Sequence, residues 1–452
     1  MGTYKRILTS LDIGTTSIKV IIAEIINNEL NVIGVSTQES RGIKKGVIVD
    51  IDKTVTSIII AIQEAEQKAN VAVDEVIVGL PAYGLEIQST RGVVKTENAD
   101  TEITNRDIES VVSQAMIQAV GQDKEMIGLN IHQFIVDGFD DISDPRRMVG
   151  VRLEMEADVL SVPKTILHSI KKCVTMADLT ISDIVIQPDA LASVSLNHDH
   201  KRQGAILVDM GGGQTTVSVY KDNRLIYSFV DPEGGEYITR DISVVLNTTI
   251  DEAEQLKIKY GYAHPDEANP DNTIPVNVLS QKGVQSISED YLAEIIQARL
   301  LQILTTIKNN LSESQLLDAS NNIIVTGGNT SIPATRDLLS EVFSKSIDFF
   351  VPQQMGIRYP TFSTAVGLIQ YVKEQSDVQR MVNRYVNGLE GHTRDKEESQ
   401  KEVPSSRTFS SDQHPDQDRS QQGATEKITI KETQSEESTW DKFKNMINSF
   451  FD

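Results

Sequence analysis

The sequence predicts an α/β protein of two like lobes, each a βββαβα unit, with a smaller α+β module set into the first. Three observations predict it. A strand, a glycine-bearing polar turn and a second strand occur at residues 7–23 and again at 205–220. Each copy is followed by a third strand, a helix and a short apolar strand. Between the copies, residues 84–161 alternate strand-like and helical stretches. A repeat of such long period is read as an internal duplication.

Composition sets the bounds. The 452 residues suit several domains or a discontinuous two-lobed architecture, and 39% hydrophobic content is enough for real cores. A formal net charge of −22 argues against nucleic acid as the main partner and against a broad electrostatic hold on anionic lipid. The lone Cys173 excludes an internal disulfide and points to a reducing compartment. It stands in a helical stretch, where a core thiol competes with a nucleophile and is the simpler reading. The opening residues carry no signal-peptide or myristoylation pattern, and no apolar run is long enough to span a bilayer.

In chain order, the first tip is Asp12-Ile13-Gly14-Thr15-Thr16-Ser17-Ile18-Lys19, with Asp12 closing an apolar strand. A strand at 30–35, a helix at 54–69 and a strand at 76–80 follow. The module is expected to hold strands at 84–94, 129–139 and 149–159 and a helix at 105–118. Asp144-Pro145-Arg146-Arg147 reads as a polar turn, whose arginines either bind an anion or are simply solvated. A strand at 181–186 runs into Gln187-Pro188 and a helix of small residues, where the proline suits the first helical turn. The second tip is Asp209-Met210-Gly211-Gly212-Gly213-Gln214-Thr215-Thr216. It leads to a strand at 225–229, a helix at 291–311 and a strand at 323–326 ending in Gly327-Gly328. A second small-residue helix follows Tyr359-Pro360; two such helices can cross closely as a hinge, or be plain core helices.

The expected layout is therefore a first lobe of 1–83 with 162–203 and about 358–388, and an inserted module of 84–161. The second lobe comprises 204–241 and 312–357, with an outer subdomain of 242–311. A linker of 389–438 and a terminal helix of 439–452 complete the chain.

The tips carry the chemistry. Glycines in a tight turn leave backbone N–H groups open to an anion. An aspartate at a strand end can hold a divalent cation through water. One such tip is equally an ordinary glycine-rich hairpin. Two of them facing across a cleft suit a ligand with several phosphates and a metal.

The tail is different in kind. Residues from about 390 to 438 are rich in Glu, Gln, Ser, Lys and Asp with little to bury, the composition of a disordered linker. Then Trp440, Phe443, Met446, Ile447, Phe450 and Phe451 fall at i, i+3, i+6, i+7, i+10 and i+11, one face of a helix. That face can dock back on the body, fill a partner's groove or enter a membrane interface, the last being favoured. Full burial of such side chains is worth roughly 1.5–3 kcal/mol each, and interfacial burial is partial. One copy then binds weakly, which favours an assembly in which many tails act together. A linker of about 50 residues has a root-mean-square reach of roughly 35–40 Å.

Together these motifs resemble the actin/Hsp70/sugar-kinase superfamily. The tip at Asp12 looks like its first phosphate motif, the tip at Asp209 its second, and Val325-Thr326-Gly327-Gly328-Asn329-Thr330 its adenosine motif. Within it the chain resembles the FtsA family of bacterial division proteins. The module after Leu80-Pro81-Ala82 and the Asp231-Pro232-Glu233-Gly234-Gly235 loop carry that resemblance, with the amphipathic tail. So does the turn at Asp144, although Arg147 stands where the family commonly has glycine.

The resemblance implies an actin-like fold that binds ATP and Mg²⁺ and polymerises on the cytoplasmic side of the bacterial cell membrane at the division site. It would tether filaments of tubulin-like FtsZ by the FtsZ C-terminal peptide and recruit downstream division proteins. Asp12 and Asp209 would serve Mg²⁺, mostly through water. Gly14, Thr15, Thr16, Gly211, Gly212, Gly213, Gln214 and Thr215 would face phosphates. Lys19 would be a phosphate-side lysine or point to solvent. Glu254 and Lys257 would contact ribose and base, or form a surface pair; Gly327 and Gly328 would pass against the nucleoside. Gln187 aligns with a water-positioning residue, and a glutamine is a poor base, so hydrolysis should be slow or absent. Arg299 is a candidate anchor for the FtsZ peptide. A pilus or secretion scaffold, or a small-molecule kinase of the same superfamily, is the alternative.

Overall fold

The computed structural model describes residues 5–96, 102–117, 121, 123–279, 284–320 and 322–389. The chain divides into units of residues 1–394 and 395–452, and all described residues belong to the first. The expected terminal helix, and the linker beyond its first residue, lie outside the described residues.

Each lobe is a five-stranded sheet of the same topology. The first lobe orders its strands Thr180–Ile186, Glu75–Leu80, Lys5–Ile13, Ser17–Ile26, Glu29–Glu39. The second orders them Ser346–Phe349, Asn322–Thr326, Ala205–Met210, Thr215–Lys221, Arg224–Asp231. In both, the first three strands in sequence form an antiparallel meander, and two later strands join in parallel.

The two tips are the same turn made twice. Gly14 N–H donates to the Ser17 carbonyl at 3.2 Å, and Gly211 N–H to the Gln214 carbonyl at 3.0 Å. A Cβ on either glycine would lie 2.8 Å from that carbonyl oxygen, closer than side chains tolerate. The glycine opening each tip is thus required by the turn itself.

Helix Ile51–Ala69 lies on the first sheet, burying Val55, Ile58 and Ile62; Asp50 caps its start by accepting from Lys53 N–H. Cys173 is fully buried in helix Lys164–Met176, and burial pushes its thiol up to about 11, so it is a core residue without nucleophilic character. Helices Gln187–Ser195 and Ser363–Glu374 cross tightly, because a Cβ on Gly367 would stand 2.2 Å from the Ala190 carbonyl. Small residues at this crossing let two backbones meet. Among the described residues no helix is long and apolar enough to cross a membrane.

The inserted module is an antiparallel sheet ordered Glu86–Lys95, Arg152–Pro163, Lys124–Val136, Phe139–Ile142, with helix Asn105–Met116 packed on it. The single strand expected at 129–139 is broken by Asp137 and Gly138, at φ +50° and +91°, into two strands. In the nearby turn Arg147 sits at φ +68°, the left-handed region that glycine enters freely. Arg146 pairs with Asp144 at 2.7 Å, so the turn does not offer two unpaired cations to an anion.

The last described helix, Asp377–Val386, adds an attachment absent from the sequence reading. Val378 and Val382 enter the core of the inserted module. The Gln379 and Asn383 side-chain oxygens accept from the backbone N–H groups of Ile131 and Leu129, each at 3.0 Å. On its other side Arg380 pairs with Asp183 of the first lobe at 2.9 Å. The helix is pinned to the module and the first lobe together.

Candidate nucleotide cleft

A cleft of about 860 Å³ opens between the lobes. Its lining brings together Asp12, Gly14, Thr15, Thr16 and Lys19 from the first tip and Asp209, Gly211, Gly212, Gly213 and Gln214 from the second. Gln187, Glu254, Lys257, Gly327 and Gly328, also expected from sequence, line the cleft as well. Residues 175 positions apart in the chain touch here: Gln187 Nε2 donates to Asp12 Oδ1 at 3.0 Å.

The tips meet edge to edge. A Cβ on Gly213 would strike the Thr15 side chain at 2.3 Å, and one on Gly212 would strike Thr16 at 2.4 Å. A side chain at either of these two glycines would hold the lobes apart. Lys19 settles the question of its strand's facing: it is 8% exposed, lines the cleft and lies 3.5 Å from Asp12 Oδ2. Thr215 does not line the cleft. Its hydroxyl donates to the Glu233 carbonyl at 2.9 Å with the residue 1% exposed, so it braces the loop behind the tip rather than facing a ligand.

That loop carries Gly234 and Gly235. Gly235 N–H donates to the Gly211 carbonyl at 3.1 Å and Glu236 N–H to the Gly212 carbonyl at 2.8 Å. From the other side Asn329 Nδ2 donates to the same Gly211 carbonyl at 2.7 Å. Asn329 has a structural job that its type alone did not reveal, although it stands in the motif with Gly327 and Gly328. Gly327 adopts φ +98°, and a Cβ there would lie 2.4 Å from Asp209 Oδ1.

On the outer wall Lys257 is 9% exposed; its Nζ donates to the Gly235 carbonyl at 3.1 Å and the Thr239 hydroxyl at 2.8 Å. It also pairs with Glu254 at 2.7 Å, and Thr239 donates to Glu254 as well. Glu254 and Lys257 therefore belong to a packed polar cluster that ties helix Ile250–Tyr260 to the start of helix Gly235–Val245.

Burial and the neighbouring Asp12 push the Asp209 carboxyl up to about 6, against the pull of Lys19. The negative charge of Asp12 thus opposes ionisation of Asp209, and a bound divalent cation would favour the ionised form. Among the described residues no group of three or more His, Cys, Asp or Glu could hold a metal. The donor set fits Mg²⁺, which keeps several waters and takes phosphate oxygens beside one or two carboxylates. The glycine-lined turns fit the phosphates.

Arg299 departs from the expected peptide anchor. Its guanidinium pairs with Asp241 at 2.5 Å and Glu233 at 2.9 Å, and only 10% of the side chain is exposed. Its charge is already neutralised by these two carboxylates of the second-lobe core, so it presents no cation to an acidic peptide.

This duplicated fold, closed around one cleft and interrupted by a module in its first lobe, is the actin-like two-lobed architecture. Its low-identity structural neighbours agree. A PilM-PilN type IV pilus biogenesis complex chain matches with a TM-score of 0.57 at 12% identity, covering 82% of this chain and 99% of that one. MreB5 of Spiroplasma citri bound to ADP matches with a TM-score of 0.50 at 12% identity, covering 85% and 99%. The family model for cell division protein FtsA matches residues 206–367, and that for the SHS2 domain inserted in FtsA matches residues 84–161. Cell division protein FtsA of Enterococcus hirae is 42% identical over 378 residues, 84% of this chain and 86% of that protein. The chain belongs to the FtsA family and is an actin-like cell-division protein. A pilus scaffold or a small-molecule kinase is not favoured.

Proposed function

We propose that the chain binds ATP with Mg²⁺ between its lobes and polymerises on the cytoplasmic side of the bacterial cell membrane at the division site. It anchors FtsZ filaments there through their C-terminal peptide and recruits downstream division proteins. One observation carries the reading: in an FtsA-family chain, two aspartate-and-glycine tips meet across a single cleft.

Asp12 and Asp209 would hold Mg²⁺, mostly through water, and Lys19 would neutralise phosphate charge beside them. Gly14, Thr15 and Thr16 on one side, and Gly211, Gly212, Gly213 and Gln214 on the other, would present donors to the phosphates. Gly327 and Gly328 leave room for the nucleoside. Gln187 can orient a water but cannot readily take its proton, and its amide is engaged by Asp12. Turnover is therefore slow, and nucleotide acts as a switch of structure and assembly. The apolar face Trp440, Phe443, Met446, Ile447, Phe450 and Phe451 would enter the membrane interface.

The test is co-sedimentation with anionic vesicles and ATP, comparing the full chain with one ending at Ser438, each with and without an FtsZ tail peptide. Only the full chain should pellet with vesicles and carry the peptide down. Equal pelleting of both chains overturns the anchor.

A further inference from the structure

The short hairpin 43–48 stands between the third strand of the first lobe and helix Ile51–Ala69, with strands Ile43–Lys44 and Val47–Ile48. Its base is fixed. Gly42, at φ +85°, offers its carbonyl to the N–H groups of both Val49 and Asp50, at 2.8 and 3.0 Å. Ile43 is buried in the first-lobe core. Thr54 Oγ1 donates to the Arg41 and Asp50 carbonyls, tying both ends of the hairpin to the helix.

Its tip reaches the other lobe. Gly46, at φ +74°, donates its N–H to Thr15 Oγ1 at 2.8 Å, and so rests on the first phosphate tip. A Cβ on Gly46 would lie 2.1 Å from Gln214 Oε1 of the second tip. That oxygen is buried and has no hydrogen-bond partner. Beside it Lys45 Nζ lies over the Tyr237 ring of the second lobe, 5.5 Å from its centroid. Ile43 and Gly46 line the cleft. The hairpin is thus rooted in one lobe, touches both tips and leans on the opposite lobe.

We propose that hairpin 43–48 is an exchange gate. Seated on Gln214 and Tyr237 it closes the phosphate end of the cleft, and a nucleoside triphosphate enters or leaves only when Lys45 and Gly46 lift away from the second lobe. The position of Gly46 between Thr15 and Gln214 makes the gate sensitive to whether the two tips are drawn together. The contacts holding it down are few and partly exposed, a cation over a ring and a glycine against an amide. They suit a gate that opens often rather than a permanent seam. The proposal rests on the nucleotide reading of the cleft.

The experiment measures equilibrium binding and dissociation of a fluorescent ATP analogue with Mg²⁺ on the full chain. Lys45→Ala should speed dissociation about three- to tenfold. A Lys45→Cys, Tyr237→Cys chain joined by a short bis-maleimide after loading should slow dissociation at least tenfold; Cys173 is buried and does not compete. On the unmodified chain, bound ATP analogue should slow hydrogen exchange at Gly46 N–H. Absence of nucleotide binding by the unmodified chain overturns the cleft reading and the gate with it. Tight binding with unchanged dissociation in both variants and unchanged exchange at Gly46 overturns the gate alone.

Discussion

Arg224 donates from Nη2 and Nε to the two carboxylate oxygens of Asp158, at 2.6 and 2.9 Å, and so clasps the second lobe to the inserted module. Ser89 and His132 reach the same carboxylate, at 2.7 and 2.9 Å. One strand-pair away Asn130, the cross-strand partner of Asp158, donates to Asp189 at 3.4 Å, and Tyr220 of the second lobe donates to that acid at 2.8 Å. Three parts of the molecule meet at two buried carboxyl groups. Removing a partner from a fully buried pair costs about 3–5 kcal/mol. Arg224 is 39% exposed and leaves Asp158 two other donors, so Arg224→Ala should cost only about 1–2 kcal/mol. The urea midpoint measures it, and an unchanged midpoint would make the clasp energetically idle.

The same carboxylate predicts an acid limb of stability. Burial pushes Asp158 up, but the hydrogen bonds from His132, Ser89 and Arg224 outweigh it and hold the group at about 2. Its folded value lies below the ordinary one near 3.9, so its contribution is complete above about pH 5 and is lost as pH falls toward 2. Urea titrations at pH 4.5 and 2.5 should show a smaller loss in Asp158→Asn than in the unaltered chain.

At the helix crossing, Gly367→Ala places a methyl 2.2 Å from the Ala190 carbonyl. The backbones must part, at about 1–3 kcal/mol. Thermal melting should show the loss; a melt identical to that of the unaltered chain would mean the crossing is looser than its geometry.

Arg147→Gly should act in the opposite direction. A non-glycine residue in left-handed backbone costs roughly 1–2 kcal/mol. Glycine gives back part of this through the freedom of the unfolded chain, roughly 0.4–1 kcal/mol. The variant should gain about 0.5–1 kcal/mol, read as a raised urea midpoint.

Lys19→Ala tests the cleft. With the cation gone, Asp12 and Asp209 face a phosphate chain unaided, and affinity for ATP with Mg²⁺ should fall about tenfold, near 1.4 kcal/mol. Calorimetric titration would show it. Unaltered affinity would leave Lys19 as the ion-pair partner of Asp12 and nothing more.

The duplicated lobes were legible because each tip needs a glycine at its first position and an aspartate before it, and such constraints survive as letters. The close helix crossing was legible for the same reason, since only small residues permit two helices to touch at Ala190 and Gly367. Arg299 was misread because its partners, Asp241 and Glu233, lie 58 and 66 positions away and no spacing announces them. Thr215 was misread because a hydroxyl beside a phosphate turn looks alike whether it faces the ligand or the loop behind. Hairpin 43–48 escaped because it is too short for periodicity. Its one signal was the pair Gly42 and Gly46 around Ile-Lys-Lys. Helix Asp377–Val386 was blurred by its closeness to the polar tail, although Val378 and Val382 lie one turn apart.

That helix also decides how force passes through the molecule. The chain continues from it past 389, so a pull applied beyond that point would reach first Gln379 and Asn383 on the module's strand and Arg380 on Asp183. The tow point is the inserted module and the first lobe. The second lobe feels the pull through the clasp at Asp158, the junction at Asp189 and the crossed helices. Under the proposed anchoring, a chain pulled by its C-terminal end would thus be loaded unevenly across its own cleft.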